Sequence, residues 1–457
     1  MKKNLLIKNA MRVVTMDDRR RELSDVDILT NGRTILNIGK NLSDDSARVL
    51  DAKGCVVVPG FINLHHHLCQ TLTRNIPAVQ DAKLFDWLVY LYQIWRHLTP
   101  EAAGVGAEVG LSELLLTGCT TSTDHTYLFP RGKPSELIDR QIEAARKLGI
   151  RFHPTRGSMT VGESKGGLPP DDCTQDEADV LKDCERLVKA YHDPAPFSMC
   201  RIALAPCAPF SVSPELMKEM AKQAKRWNVL LHTHLAETLD EEIYCLERYK
   251  MRPLDFIESV GWLEGNAWFA HMVHLNADEI ARLAKTGTGV AHCPASNLRL
   301  GSGIAPVREY RDSHVPVGLG VDGSASNDTG DMLGELRQCM LVHRIRSGVK
   351  SMPAREVLEM ATRGAARVLH RDDIGRLEPG KAADMAIFDL GTVDFAGSLS
   401  DPVAALLFCG CSHRTKWTIV DGKVVVDEGR LVGADERELA QRANKVSLDL
   451  IRKGPRQ

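Results

Sequence analysis

The chain carries twelve cysteines but no Cys-x-x-Cys pair, which excludes a zinc ribbon, a dithiol redox motif and a disulfide-stapled scaffold. Most of these thiols are therefore expected in the core. Long apolar runs are missing as well: none approaches the roughly 18–20 residues that cross a bilayer. The opening Met1-Lys2-Lys3-Asn4-Leu5-Leu6-Ile7-Lys8-Asn9 breaks before the core of a signal peptide forms, so the expected address is cytoplasmic, with no membrane partner. Nor is there an excess of one charge. Lys and Arg number 58 against 60 Asp and Glu, a formal net charge of −2, which leaves no electrostatic footprint for nucleic acid. The mixed-sign run Asp17 to Arg21 reads as a solvated hairpin tip.

With 43% hydrophobic and 26% charged residues over 457 positions, the composition is globular and the length suits an α/β barrel with one further domain. Residues 1–58 alternate short β-like runs with turns and contain no long helical pattern. From there to residue 370 the chain repeats a buried-strand signal followed by an amphipathic helix. Strands are expected at 56–65, 119–124, 151–156, 200–206, 229–234, 268–271, 289–293 and 315–322. Eight is the number that closes a (β/α)8 TIM-type barrel, with an open doubly wound sheet as the alternative. Helices are expected at 102–116, 135–148, 176–191, 214–227, 254–260, 278–285 and 331–347. Residues 371–457 return to β-like alternation, with tight turns at Pro379-Gly380 and Asp421-Gly422. The two ends are expected to pair into one composite β-sandwich domain, giving domains 1–58, 59–370 and 371–457.

Chemistry-bearing residues fall where the strand candidates end. His65 and His67 lie two apart, a spacing that points both imidazoles to one side of a strand and suits zinc or a similar borderline ion. His232 and His234 repeat the pattern, with Glu237 three residues further on as a proton carrier. His271 and Asp322 end two more apolar runs. A carboxylate there is costly unless it meets a cation or strong donors, although Asp-Gly also suits a plain turn. These positions share the C-terminal face of the expected barrel, where such folds carry their active sites. Gln70, Trp87 and Arg156 are candidates for holding a small ligand, an aromatic wall and an amide suiting a flat, hydrogen-bonding one. Helix packing is the alternative for Trp87, a structural ion pair for Arg156 and a satisfied polar role for His125. His66, between the ligands, is expected to point away.

Together, Pro-Gly-Phe-Ile-Asn-Leu-His-His-His at 59–67, His-Leu-Ala-Glu at 234–237, Ala-His at 270–271 and Gly-Val-Asp-Gly-Ser-Ala-Ser-Asn at 320–327 resemble the amidohydrolase superfamily, in particular its cytosine/guanine deaminase and triazine hydrolase branch. Within it, the runs at 65–74, 155–159, 166–171 and 232–242 are most similar to the 8-oxoguanine deaminases, with isoxanthopterin deaminases and hydroxylated triazine aminohydrolases next. Cys69 and Thr126 depart from that pattern. The resemblance implies one divalent metal, zinc foremost with iron or manganese as alternatives, held by His65, His67, His234 and Asp322. It also implies proton transfer by Glu237, His271 and Asp322, and hydrolytic loss of an exocyclic amino group from a small heterocycle, 8-oxoguanine foremost. A homo-oligomer is expected. A single ion is implied because the run 201–207, Arg-Ile-Ala-Leu-Ala-Pro-Cys, lacks the lysine that bridges two metals in dinuclear relatives. Removal of chloride or an alkylamine from a triazine is the competing chemistry, and a non-catalytic binding barrel the competing class.

Overall fold

The computed structural model describes residues 4–132, 136–409 and 413–455. Five strands come first: β1 (Leu5–Val14), β2 (Glu22–Asn31), β3 (Thr34–Gly39), β4 (Arg48–Asp51) and β5 (Cys55–Pro59). Eight parallel strands follow, β6 (Phe61–Asn63), β7 (Cys119–Thr126), β8 (Arg151–Ser158), β9 (Ala203–Pro206), β10 (Leu230–Leu235), β11 (Ala267–His271), β12 (Gly289–His292) and β13 (Val317–Leu319), each paired with the next in chain order. The ring closes through single bonds beyond the ladder, from Leu64 N–H to the Leu319 carbonyl at 2.9 Å and from Asp322 N–H to the His65 carbonyl at 3.0 Å. The open doubly wound alternative is thereby excluded.

The helices used below are α1 (Leu84–Trp95), α2 (Pro100–Leu116), α3 (Leu137–Leu148), α4 (Glu177–Tyr191), α5 (Pro214–Trp227), α6 (Leu239–Tyr249), α7 (Pro253–Ser259), α8 (Ala277–Thr286), α9 (Pro294–Arg299), α10 (Val307–Asp312) and α11 (Met332–Ser347). Seven match the expected segments. The start expected for α3 at residue 135 lies outside the described residues. Caps fix several N-termini, as where Thr238 Oγ accepts the Glu241 N–H and Asp331 accepts the Gly334 N–H.

Both chain ends join one continuous nine-stranded sheet, completed by β14 (Met385–Asp389), β15 (Trp417–Val420), β16 (Lys423–Asp427) and β17 (Arg430–Leu431). The β15–β16 hairpin turns at Asp421-Gly422 with both φ angles positive (52° and 72°), as a two-residue turn of this kind demands. One expectation needs correction: the apolar run 56–65 is two strands. β5 joins the terminal sheet, parallel to β1 and antiparallel to β14, and β6 opens the barrel. The switch is at Gly60, where any Cβ would lie 2.1 Å from the Thr120 side chain. Inside the barrel, Ile62, Leu64, Ala203, Trp268 and Ala291 pack with Val368 and Leu369, filling one part of the bore with apolar side chains. Among the described residues no helix is long and apolar enough to cross a membrane.

Candidate active site

The strand ends are strained where they deliver functional groups. Ala236, His271 and Asp322 have φ of 50°, 73° and 64°, a left-handed conformation that costs non-glycine residues about 1–3 kcal/mol each and concentrates at functional sites. Glu241, at the start of α6, offsets part of that cost: its carboxylate accepts the Ala236 N–H at 3.0 Å and the Glu237 N–H at 2.9 Å. At Gly320 a Cβ would lie 2.7 Å from the Cβ of His65, so the missing side chain makes room for that imidazole.

Hydrogen bonds to the far side of each ring set the tautomers. His232 Nδ1 is 2.9 Å from the Trp268 carbonyl and its Nε2 is 2.8 Å from His65 Nδ1. A carbonyl only accepts, so His232 carries its proton on Nδ1, its Nε2 accepts from His65 Nδ1–H, and His65 Nε2 is a bare lone pair. His65 Nε2 has no hydrogen-bond partner. In the same way His67 Nδ1–H donates to the His125 carbonyl at 2.8 Å and His234 Nδ1–H to the Cys207 carbonyl at 2.7 Å. His67 Nε2 and His234 Nε2 then face each other at 3.0 Å with no proton between them. Burial drives all three imidazoles below their ordinary values, toward the neutral form.

Into this group of lone pairs Asp322 brings its carboxylate, with Oδ1 3.3 Å from Nε2 of both His65 and His67. Burial works against its charge, yet the group is held well below the usual carboxylate range, and His271, itself raised, is the neighbouring imidazole able to favour the ionised form. Ser296 Oγ–H donates to Oδ2 at 2.6 Å and the Gly323 N–H to Oδ1 at 2.6 Å. Converging lone pairs beside an ionised carboxylate repel unless a cation sits among them, and neutral imidazole with carboxylate is the donor set for zinc or a similar ion. The residues present fit one metal.

Next to this group lies a proton-transfer pair. His271 Nε2 is 3.5 Å from Glu237 Oε2 and 3.8 Å from Asp322 Oδ2, and its Nδ1 is 2.9 Å from Asn297 Oδ1. Burial opposes a charge on His271, yet Glu237 and Asp322 together raise it above its ordinary value. Glu237 is pushed up to about 7, chiefly by burial, with His271 pulling the other way. A carboxyl poised there both gives and takes protons near neutrality.

A narrow cavity opens over these groups, its wall including Gln70, Trp87, Tyr127, Phe210, His234 and Glu237. Gln70 donates from Nε2 to Tyr127 Oη at 3.3 Å, which leaves its Oε1 unpaired, and Trp87 Nε1 is unpaired as well. A slot walled in one part by Leu84, Trp87, Leu88, Phe210 and Leu300, with Gln70 Oε1 and Trp87 Nε1 unpaired beside the polar groups, suits a flat polar ring. Trp87 also packs edge-on to Trp95, with centroids 5.4 Å apart, so it serves the helix and the cavity together.

Arg156 is the correction here. It is buried, but it does not line the cavity: Nε pairs with Asp183 on α4 at 2.6 Å, Nη2 donates to Gln175 at 3.0 Å, and the guanidinium lies 3.7 Å over the Phe129 ring. Alternation along β8 turns it toward the helix layer. Arg156→Met is expected to cost roughly 3 kcal/mol, the loss from breaking a buried pair, with KM unchanged; denaturant unfolding beside steady-state kinetics checks both. His66 stacks against α2, where a Cβ on Gly110 would come 3.3 Å from its Nε2, away from the other imidazoles. His125 stacks on His234 at 4.6 Å and is tied through Nε2 to the Ala205 carbonyl. Sequence reading did not assign Ser296, Asn297 or Glu241 a part. Only Glu241 had a signal, the Thr238-x-x-Glu241 capping pattern.

Fold and site together define a class: a (β/α)8 hydrolase scaffold that gathers a set of side chains fit to hold a cation at the C-terminal ends of its strands. A family model described as "Amidohydrolase family" matches residues 56–425, and the chain belongs to that family. It is 48% identical over 405 residues to 8-oxoguanine deaminase of Pseudomonas aeruginosa, covering 87% of this chain and 90% of the relative. It is 37% identical to an isoxanthopterin deaminase from an unknown prokaryotic organism, over 98% and 97% of the two chains. Among solved structures, the atrazine chlorohydrolase of Arthrobacter aurescens TC1, complexed with zinc, superposes with a TM-score of 0.93 at 40% identity, covering 97% of this chain and 100% of that one.

Proposed function

We propose that this hydrolase of C–N bonds deaminates an amino-substituted nitrogen heterocycle, 8-oxoguanine foremost, giving urate and ammonia. The observation that carries the reading is the set of three bare Nε2 atoms and the Asp322 carboxylate beside a Glu237 poised at about 7. The similarity to 8-oxoguanine deaminase supports the substrate. His65, His67, His234 and Asp322 would hold one divalent ion, zinc foremost, whose Lewis acidity makes water a nucleophile near neutral pH.

The chain's own groups then divide the proton work. Asp322 and His271 accept the proton of the attacking water. Glu237 protonates the ring nitrogen next to the amino-bearing carbon, and the His271–Glu237 contact at 3.5 Å returns a proton to the departing amine. Gln70 Oε1 and Trp87 Nε1–H orient the ring from the cavity wall. Because Glu237 acts in its protonated form, kcat/KM is expected to fall as pH rises through about 7, a limb that a pH–rate profile reads directly.

Turnover of 8-oxoguanine, isoxanthopterin and guanine, compared side by side by ammonia release, tests the assignment. Selective release from 8-oxoguanine supports it, and preference for a pterin, or chloride or alkylamine loss from a triazine, overturns it. Homo-oligomerisation and a cytoplasmic address belong to the same proposal. An exposed apolar row of Leu239, Ile243 and Leu246 on α6 supports the first, and the free, mostly buried thiols among the described cysteines support the second.

A further inference from the structure

The helix layer outside the barrel holds a second group of metal-type donors. Along β12, Ala291 packs into the bore while Val290 joins the barrel–helix core, so alternation turns His292 outward to α11. Cys339 and His343 are four residues apart on α11 and share the face that meets it. Two imidazoles and a thiol thus come within 4.8 Å of one another, each side chain at most 1% exposed.

The two rings are incomplete as a hydrogen-bonded pair. Their Nε2 atoms lie 3.1 Å apart, and neither Nδ1 has a partner. That separation is close to the roughly 3.3 Å between two nitrogens that each sit ~2.0–2.1 Å from one tetrahedral ion. Burial holds His292 well below its ordinary value and His343 at about 4, so both are neutral, the form that ligates. Burial also pushes the Cys339 thiol up, which leaves it inert unless a cation replaces its proton.

We propose that His292, Cys339 and His343 form a second metal site, selective for Zn2+ or another thiophilic ion, that clamps β12 to α11. Two nitrogens and a sulfur with no carboxylate favour such an ion over Mg2+, Ca2+ or Mn2+. The clamp bears on the candidate active site through α11 itself. Glu335 on that helix accepts the Ala295 N–H at 2.9 Å and donation from Asn327 Nδ2 at 2.9 Å; Ala295 shares α9 with Ser296 and Asn297, and Asn327 shares a loop with Asp322.

The test is a Co2+ titration of the full-length protein after chelation, followed by absorbance. The ligand set of the candidate active site contains no sulfur, so a near-ultraviolet thiolate-to-cobalt charge-transfer band reports the second site alone. Two equivalents with that band are expected in the unaltered chain. Cys339→Ser and His343→Asn should each lose one equivalent and the band, whereas Cys207→Ser, altered beside His234 where the sulfur lies 3.9 Å from Nδ1, should keep both. Uptake of one equivalent without the band overturns the proposal, as does a band lost in Cys207→Ser and retained in Cys339→Ser.

Discussion

Glu237→Gln is expected to lower kcat by roughly 10²–10⁴-fold, the contribution typical of one acid–base group, while metal content stays at the unaltered level. The amide keeps the shape of the side chain and its place over the cavity but has no proton to give at the ring nitrogen. Glu237 is not one of the converging ligands, so its loss leaves the metal group intact. The pH limb near 7 should vanish with it, since burial raises that carboxyl into this range. Near-native turnover in the variant, with metal present, would falsify the assignment.

Asp322→Asn should be more severe, with kcat down by at least about 10⁴-fold, the upper end for a single proton-transfer group, because this one side chain is proposed to serve two purposes. Its Oδ1 faces two imidazole nitrogens at 3.3 Å, and its Oδ2 is the end nearer His271, at 3.8 Å. A neutral amide removes the charge that balances a cation and the acceptor for a water proton together. Metal analysis alongside kinetics separates the two effects: added zinc should restore occupancy before it restores rate. Full recovery of rate at saturating zinc would show that Asp322 only binds.

Much of this was legible before any coordinates. His65, His67, His234, His271 and Asp322 are readable because strand ends in a barrel meet at one face, so residue type plus position at an apolar run's end is enough. The helices followed from amphipathic periodicity, as in α5 and α8. The failures have physical reasons. The run around Gly60 is apolar throughout, and its division between two sheets depends on contact with Thr120 and pairing with β14, neither of which periodicity records. Arg156 ends an expected strand, but the side it faces is set by alternation, which sends it to Asp183. The tautomer chain from Trp268 through His232 to His65 joins residues more than a hundred positions apart, as does no local pattern.

The split strand also bears on when the protein can mature. β5 is followed by Gly60 and β6, which lead on to His65 and His67, and the antiparallel neighbour of β5 is β14, Met385–Asp389. During synthesis β5 therefore lacks one flank until residue 389 has left the ribosome. A product terminated before Met385 would leave β5 with a bare backbone edge, open to pairing with another chain. Closure of the terminal sheet belongs to the finished polypeptide.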